Sequence, residues 1–331
     1  MMTPALGVVR QHYRGAEIVV AANPLVAELF RTHPWCDRIL IFDKNGRHKG
    51  LAGLMTFTRE LRSENFGLAL LFQKAFEAAL LTFLAGIPIR AGFSTDHRGF
   101  LLTHKTPLTE DIRQRHHSRH YLEMLAALGI SGQDSPLRLD LAPGEPSAAL
   151  SLVGFDGWLV LNPGAAYGSA KRWYPERFAA VGNILSRRLG LGVVIIGGPG
   201  ETAIGADIER QLSCPRINLV GRTSVREMMA VIACSRLVVS NDSGPMHIAA
   251  AFSVPTVAIF GPTDHTTTYP LSEASRVVHS AADCAPCLRR TCPTDHHCML
   301  NVTVDQVVSA ALELLEEGGD GLRRGAGREL V

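Results

Sequence analysis

The sequence predicts an α/β protein built from two doubly wound, Rossmann-like halves. Three observations predict it. Short β-branched runs, such as Leu237-Val238-Val239 and Thr256 to Phe260, show the near-continuous apolarity of parallel strands covered on both faces. These runs alternate with amphipathic stretches of helical length. The alternation stops after residue 128 and restarts at Trp158, and 331 residues exceed one comfortable core.

Taken in order, residues 3–14 have one apolar face and predict a helix. Strands follow at Glu17 to Ala22, Arg38 to Phe42, Leu68 to Phe72 and Ile89 to Phe93, with helices over 24–32, 49–64 and 75–85 between them. Residues 115–128 predict a further amphipathic helix, stopped by Gly129. The stretch 131–156 holds three prolines and reads as the connection between the halves. Strands then recur at 158–162, 193–197, 217–220, 237–240 and 256–260, with helices over 175–189, 201–212, 224–234 and 244–251. A short strand near 277–279 and a closing helix from Val304 to Glu317 complete the pattern. The expected division is 1–140, 141–317 and a Gly/Arg-rich disordered tail, 318–331.

Bulk properties exclude several classes. Apolar residues make up 46%, too many for a disordered chain, and a net charge of +2 gives no nucleic-acid footprint. No uncharged apolar run of about 18 residues is present, so no spanning helix is expected. The start carries no charged-then-apolar leader. A soluble cytoplasmic protein is the expectation, with room for a peripheral role at the inner face of a membrane.

The densest chemistry lies in residues 237–263. Asn241-Asp242-Ser243-Gly244-Pro245 breaks a buried strand, and His247 falls in the small helix that follows. Ser243 is the expected N-cap, and Pro245 suits the first turn, where a missing N–H costs nothing. Such a turn lies at the carboxyl edge of the sheet, where open α/β sheets bind ligands. The helix start offers free N–H groups and a positive dipole end, which suit a phosphate. Capping by Asp and Ser alone is the blander reading of the same residues.

Two further loops follow strands of the second half. Asn162 to Trp173 is rich in small residues that let a ligand approach the backbone, and Lys171 near its end can neutralise a diphosphate. It lacks the Walker A pattern. Gly197-Gly198-Pro199-Gly200-Glu201 repeats the arrangement; Glu201 either sits favourably at a helix start or accepts hydrogen bonds from ribose hydroxyls. No G-x-G-x-x-G follows a strand, which argues against a dehydrogenase.

Together, AAYGSAKRW, GGPGE, SNDSGPMHIAAA, FGPT and CAPCLRRTC with HHC resemble glycosyltransferase family 9, the ADP-heptose:lipopolysaccharide heptosyltransferases. The resemblance runs from residue 2 or 3 to about 317. It implies a GT-B fold and an inverting, metal-independent transfer of heptose from ADP-heptose to the lipopolysaccharide inner core. It implies that Lys171 binds the diphosphate and supports the leaving group. Asp242, Ser243, Gly244 and His247 would surround phosphates and sugar, and Glu201 would hold the ribose. No cofactor is expected. A non-catalytic nucleotide-sugar binder and a sugar-nucleotide epimerase of the same fold stand as alternatives.

The family pattern begins with a strand and a Gly-Asp loop whose aspartate is the general base. This chain begins at Met1-Met2-Thr3-Pro4-Ala5-Leu6, inside the helix that follows, and no residue matches that aspartate. The expectation is a truncated start, two strands short of a partner, and weakened transfer. Cys284-x2-Cys287-x4-Cys292-x5-Cys298, with His296 and His297 nearby, is spaced for a tetrahedral metal or an iron–sulfur cluster, or for plain reduced thiols; the transfer chemistry requires none of these. The basic stretch 112–120 is either a solvated helix face or a patch for acceptor phosphates.

Overall fold

The computed structural model describes residues 1–133 and 135–325, the side chains of 318–325 excepted. The chain forms two compact units, Met1–Arg138 and Leu139–Val331.

The first unit contains β1 (Val19–Ala22), β2 (Arg38–Ile41), β3 (Leu68–Leu71), β4 (Ile89–Phe93) and β5 (His104–Thr106). Its longer helices are α1 (Thr3–His12), α3 (Gly50–Ser63), α4 (Phe76–Leu84) and α6 (His117–Ala126), with short α2 (Pro24–Ala27) and α5 (Glu110–Gln114). All strand pairs are parallel, but the strands do not form one sheet. The order is β1-β2 in one and β3-β4-β5 in another, and no ladder joins β1 to β3 among the described residues. The strands are parallel as expected, and the break between the two sheets agrees with two strands short of a partner. α1 packs its apolar face, Ala5, Val8 and Val9, with Phe93, Met124, Leu125 and Ile130. β5 is new to the sequence reading: three residues, two of them exposed and polar, lying on a sheet edge.

The second unit has one six-stranded parallel sheet. Its strands are β6 (Trp158–Asn162), β7 (Gly192–Ile195), β8 (Arg216–Asn218), β9 (Leu237–Asn241), β10 (Thr256–Phe260) and β11 (Ser275–His279), in the order β11-β10-β9-β6-β7-β8. Every residue of β6, β7, β9 and β10 is buried, which is why these strands read as unbroken apolar runs. The helices are α7 (Glu145–Val153), α8 (Pro175–Leu189), α9 (Thr202–Gln211), α10 (Val225–Ala233), α11 (Gly244–Ala251), α12 (His265–Thr268), α13 (His297–Leu300) and α14 (Val304–Gly325). α7 lies inside the predicted connection. Pro146 falls in its first turn, where it is tolerated, and left-handed Gly144 and Gly154 bracket it, so the breakers mark its ends. The predicted tail begins inside α14, which runs on to Gly325; residues 326–331 lie outside the described residues. No described helix is long and apolar enough to cross a membrane.

The core of this unit gathers Leu159, Leu161, Val193, Ile195, Val239 and Ile259 from the sheet with Phe178, Val181 and Leu185 of α8. Strand order reverses between β6 and β9: the chain leaves β6 for β7 and leaves β9 for β10, on the other side. Loops that part in this way open a crevice at the carboxyl edge.

Candidate active site

The crevice is held by paired asparagines at the strand ends. Register places Asn162 opposite Ser240. The Asn162 amide donates to Ser240 Oγ at 2.8 Å and to Ser243 Oγ at 2.7 Å. The buried Asn241 amide donates to the Pro163 carbonyl at 2.7 Å, and its oxygen accepts from the Trp173 N–H at 3.1 Å. These bonds tie the loop after β6 to the loop after β9. Trp173 is anchored on its far side, its indole N–H donating to the Val302 carbonyl at 3.1 Å.

Lys171 and Asp242 meet across this frame. Lys171 Nζ lies 2.5 Å from Asp242 Oδ2, and their side chains are only 13% and 6% exposed. Thr263, from the loop after β10, donates its hydroxyl to the same oxygen at 2.6 Å. A desolvated ion pair with a supporting hydroxyl is a costly arrangement that needs good geometry. Here it fixes an ammonium beside the start of α11.

α11 runs from Gly244 to Ala251, with Ser243 preceding it. Ser243 does not cap the helix, contrary to expectation, because its hydroxyl accepts from Asn162 instead. The first-turn amides therefore keep their capacity to meet an anion. His247 lies one turn into this helix, half-buried. Asp242, Ser243, Gly244 and His247, from the turn after β9 and the start of α11, thus meet Lys171 from the loop after β6.

Glu201 stands at the next strand edge. Its carboxylate accepts from the Gly198 N–H at 2.8 Å, and Arg172 Nη2 lies 3.9 Å away. Gly164 makes room: a Cβ there would come within 2.2 Å of both carboxylate oxygens. Arg172 Nε is buried without a hydrogen-bond partner among the described residues. Asn162, Asn241, Thr263 and Arg172 were not assigned from sequence. Arg172, Asn241 and Thr263 lie inside AAYGSAKRW, SNDSGPMHIAAA and FGPT, the segments that carry the family resemblance, and Asn162 ends a predicted strand.

The four clustered cysteines lie on the segment after β11. Cys298 is buried and Cys284 exposed. Burial pushes the Cys298 thiol up, and Cys284, Cys287 and Cys292 add to the effect, so all four lie in one neighbourhood. Among the described residues no three Cys, His, Asp or Glu side chains are gathered closely enough to hold a metal ion.

The first unit carries a separate cationic cluster at the carboxyl edge of β3 and β4. Lys74 Nζ lies 3.2 Å from His120 Nδ1. Burial, then Arg113 and Arg98, hold the Lys74 ammonium below its usual range. Burial, then Lys74, lower His120. Arg98 is fully buried, donating to the carbonyls of Phe93, Gln73 and Ala75. Its Nη2 has no hydrogen-bond partner among the described residues. Sequence reading drew attention to 112–120 but not to Lys74 or Arg98.

Comparison with known proteins decides the family. The profile of glycosyltransferase family 9 (heptosyltransferase) matches residues 54–297. The chain belongs to this family. It is 31% identical over 325 residues to lipooligosaccharide heptosyltransferase 2 of Campylobacter jejuni, covering 96% of this chain and 94% of that protein. It is 32% identical over 234 residues to lipopolysaccharide heptosyltransferase 2 of Escherichia coli, covering 66% of each. Among solved structures it is similar to the Escherichia coli ADP-heptose lps heptosyltransferase II, with TM-score 0.79, 25% identity, and 96% and 95% of the two chains covered. A family 9 glycosyl transferase from Veillonella parvula gives TM-score 0.83 at 25% identity, over 96% and 93%. The GT-B architecture expected from the resemblance is confirmed by these neighbours. Family membership makes this chain a glycosyltransferase, which favours transfer over epimerisation.

Proposed function

We propose that this family 9 enzyme transfers heptose from ADP-heptose to the inner core of lipopolysaccharide, with inversion and without a divalent metal. The observation that carries the reading is the Lys171–Asp242–Thr263 cluster set beside the open first turn of α11. The names of the relatives supply the sugar and the class of acceptor.

The chemistry follows from charge. As the bond from the anomeric carbon to the diphosphate breaks and one to the acceptor hydroxyl oxygen forms on the opposite face, positive charge grows on the sugar and negative charge on departing ADP, and the hydroxyl proton is released to solvent. Lys171 and the amides of α11 stabilise that negative charge from fixed positions, so little reorganisation is needed at the moment of reaction. Asp242 is a poor partner for a diphosphate. Its role is to hold Lys171 and Thr263 in place and to orient donor hydroxyls. Ser243, Gly244 and His247 line the same turn, and Glu201 accepts from the ribose.

The acceptor belongs to the first unit. Lys74, set against His120 and near the buried Arg98, offers a partly desolvated ammonium that suits a phosphate on a lipid-borne sugar. This reading puts the enzyme at the cytoplasmic face of the inner membrane as a peripheral protein.

The test uses the purified chain with ADP-heptose and a core-truncated lipid acceptor, following ADP release and a one-heptose mass gain on the lipid. Product formation supports the proposal. ADP binding with no product would leave a non-catalytic nucleotide-sugar binder. Absence of ADP binding would overturn both.

A further inference from the structure

Residues 280–296 run between β11 and α13 as an irregular strap. So long a stretch without regular structure is uncommon in a compact domain, and its usual explanation is functional. The strap is bonded to the loop that carries Lys171 and to the loop that carries Thr263. The N–H groups of Cys287 and Leu288 donate to the Pro262 carbonyl at 3.0 and 2.9 Å, next to Thr263. The Ala170 N–H donates to the Arg290 carbonyl at 3.0 Å, and the Tyr167 hydroxyl donates to the Leu288 carbonyl at 2.8 Å. His296 Nε2 lies 2.6 Å from the Ala170 carbonyl oxygen. Gly168 permits the approach, since a Cβ there would sit 2.2 Å from the Arg290 carbonyl oxygen.

The side chains complete the picture. The Arg290 guanidinium lies 5.4 Å from the centroid of the Tyr167 ring, and Lys171 Nζ lies 4.9 Å from the same centroid. One aromatic ring thus holds two cations. Lys171 has a carboxylate, Asp242; no carboxylate lies within ion-pair distance of Arg290 among the described residues. Two cations and one carboxylate leave a positive charge uncancelled, at a place where the transferase reading needs an anion.

We infer that Arg290 is a further binding residue of this site, a second cation for the terminal phosphate of a nucleoside diphosphate, with Tyr167 as the residue that positions it beside Lys171. The inference rests on the donor-site reading above and adds a residue to it. A guanidinium offers two parallel N–H donors to a phosphate, which an ammonium cannot.

The experiment is calorimetric titration of the full chain with ADP and with AMP, for wild type, R290A, R290K, Y167F and Y167A, with thermal melting as the folding check. Arg290 is exposed, so its replacement should leave the melting temperature unchanged. The expected result is an ADP affinity lowered about tenfold in R290A, the loss of one charge-assisted contact, while AMP binding stays within twofold. R290K should restore part of the loss, and Y167A should resemble R290A more closely than Y167F does. Unchanged ADP binding in R290A, or equal losses for ADP and AMP, would overturn the inference alone. A wild-type chain that bound neither nucleotide would overturn the donor-site reading, and this inference with it.

Discussion

Replacing Lys171 by methionine tests the site at its centre. A diphosphate oxygen about 4 Å from the ammonium gains about 4 kcal/mol at an effective dielectric constant of ~20. Asp242, roughly 6 Å from the same oxygen, opposes it by about 3 kcal/mol on the same arithmetic. In the wild type the two nearly offset, leaving about 1 kcal/mol in favour of the anion. K171M keeps the repulsion and loses the attraction. Solvent reaches this pair only slightly, since Lys171 is 13% exposed, so most of the effect should survive. An ADP affinity lowered by about 30- to 150-fold is expected, equivalent to roughly 2–3 kcal/mol. The double variant K171M/D242N removes both terms and should bind ADP within about tenfold of wild type, better than K171M alone. Turnover should not recover with it: kcat should stay down by about 10²–10³, because the departing diphosphate still lacks its cation. The assay is isothermal titration with ADP for all three proteins, followed by ADP release at saturating donor. K171M binding ADP within twofold of wild type, or a double variant no better than the single, would refute the reasoning.

Other predictions concern the frame and the second cluster. N241A leaves the Pro163 carbonyl and the Trp173 N–H without their partner, and should cost about 1–3 kcal/mol of stability, read by urea unfolding. E201A should weaken ADP binding about tenfold yet leave 2′,3′-dideoxy-ADP unaffected, if the carboxylate serves the ribose. His120 is held below its ordinary value of 6.5, so the unfolded chain takes up this proton first as the pH falls. Stability should therefore drop below about pH 6.5, and H120Q should flatten that acid limb in a thermal-melting series. Inorganic phosphate should raise the melting temperature of wild type more than that of a K74M variant.

The second unit was more legible than the first, for a physical reason. Strands such as Leu237–Asn241 and Thr256–Phe260 are buried on both faces, so their composition alone declares them. His104–Thr106 is a short polar edge strand with no such signature. Proline content hid α7, since Pro146 at its start looks the same in a row of letters as proline in a linker. At the site, the turn residues were visible because strand, break and helix are local. The pairing of Lys171 with Asp242 spans 71 positions and is settled by strand order, which periodicity does not reveal. Ser243 misled for the same reason: its competing partner, Asn162, is 81 positions away in sequence and adjacent only in the sheet. Arg98 reads as a surface residue until the fold buries it beneath the Gln73 and Ala75 carbonyls.

The reversal between β6 and β9 also limits how the enzyme can let go. Asp242 directly follows β9, but Lys171 lies nine residues beyond the end of β6, on a loop held to the β9 turn by the Asn162, Asn241 and Lys171–Asp242 contacts. Opening the site therefore means loosening that loop, not unzipping the sheet. Entry and exit of nucleotide then fall to this loop and to the segment 280–296 that is bonded to it.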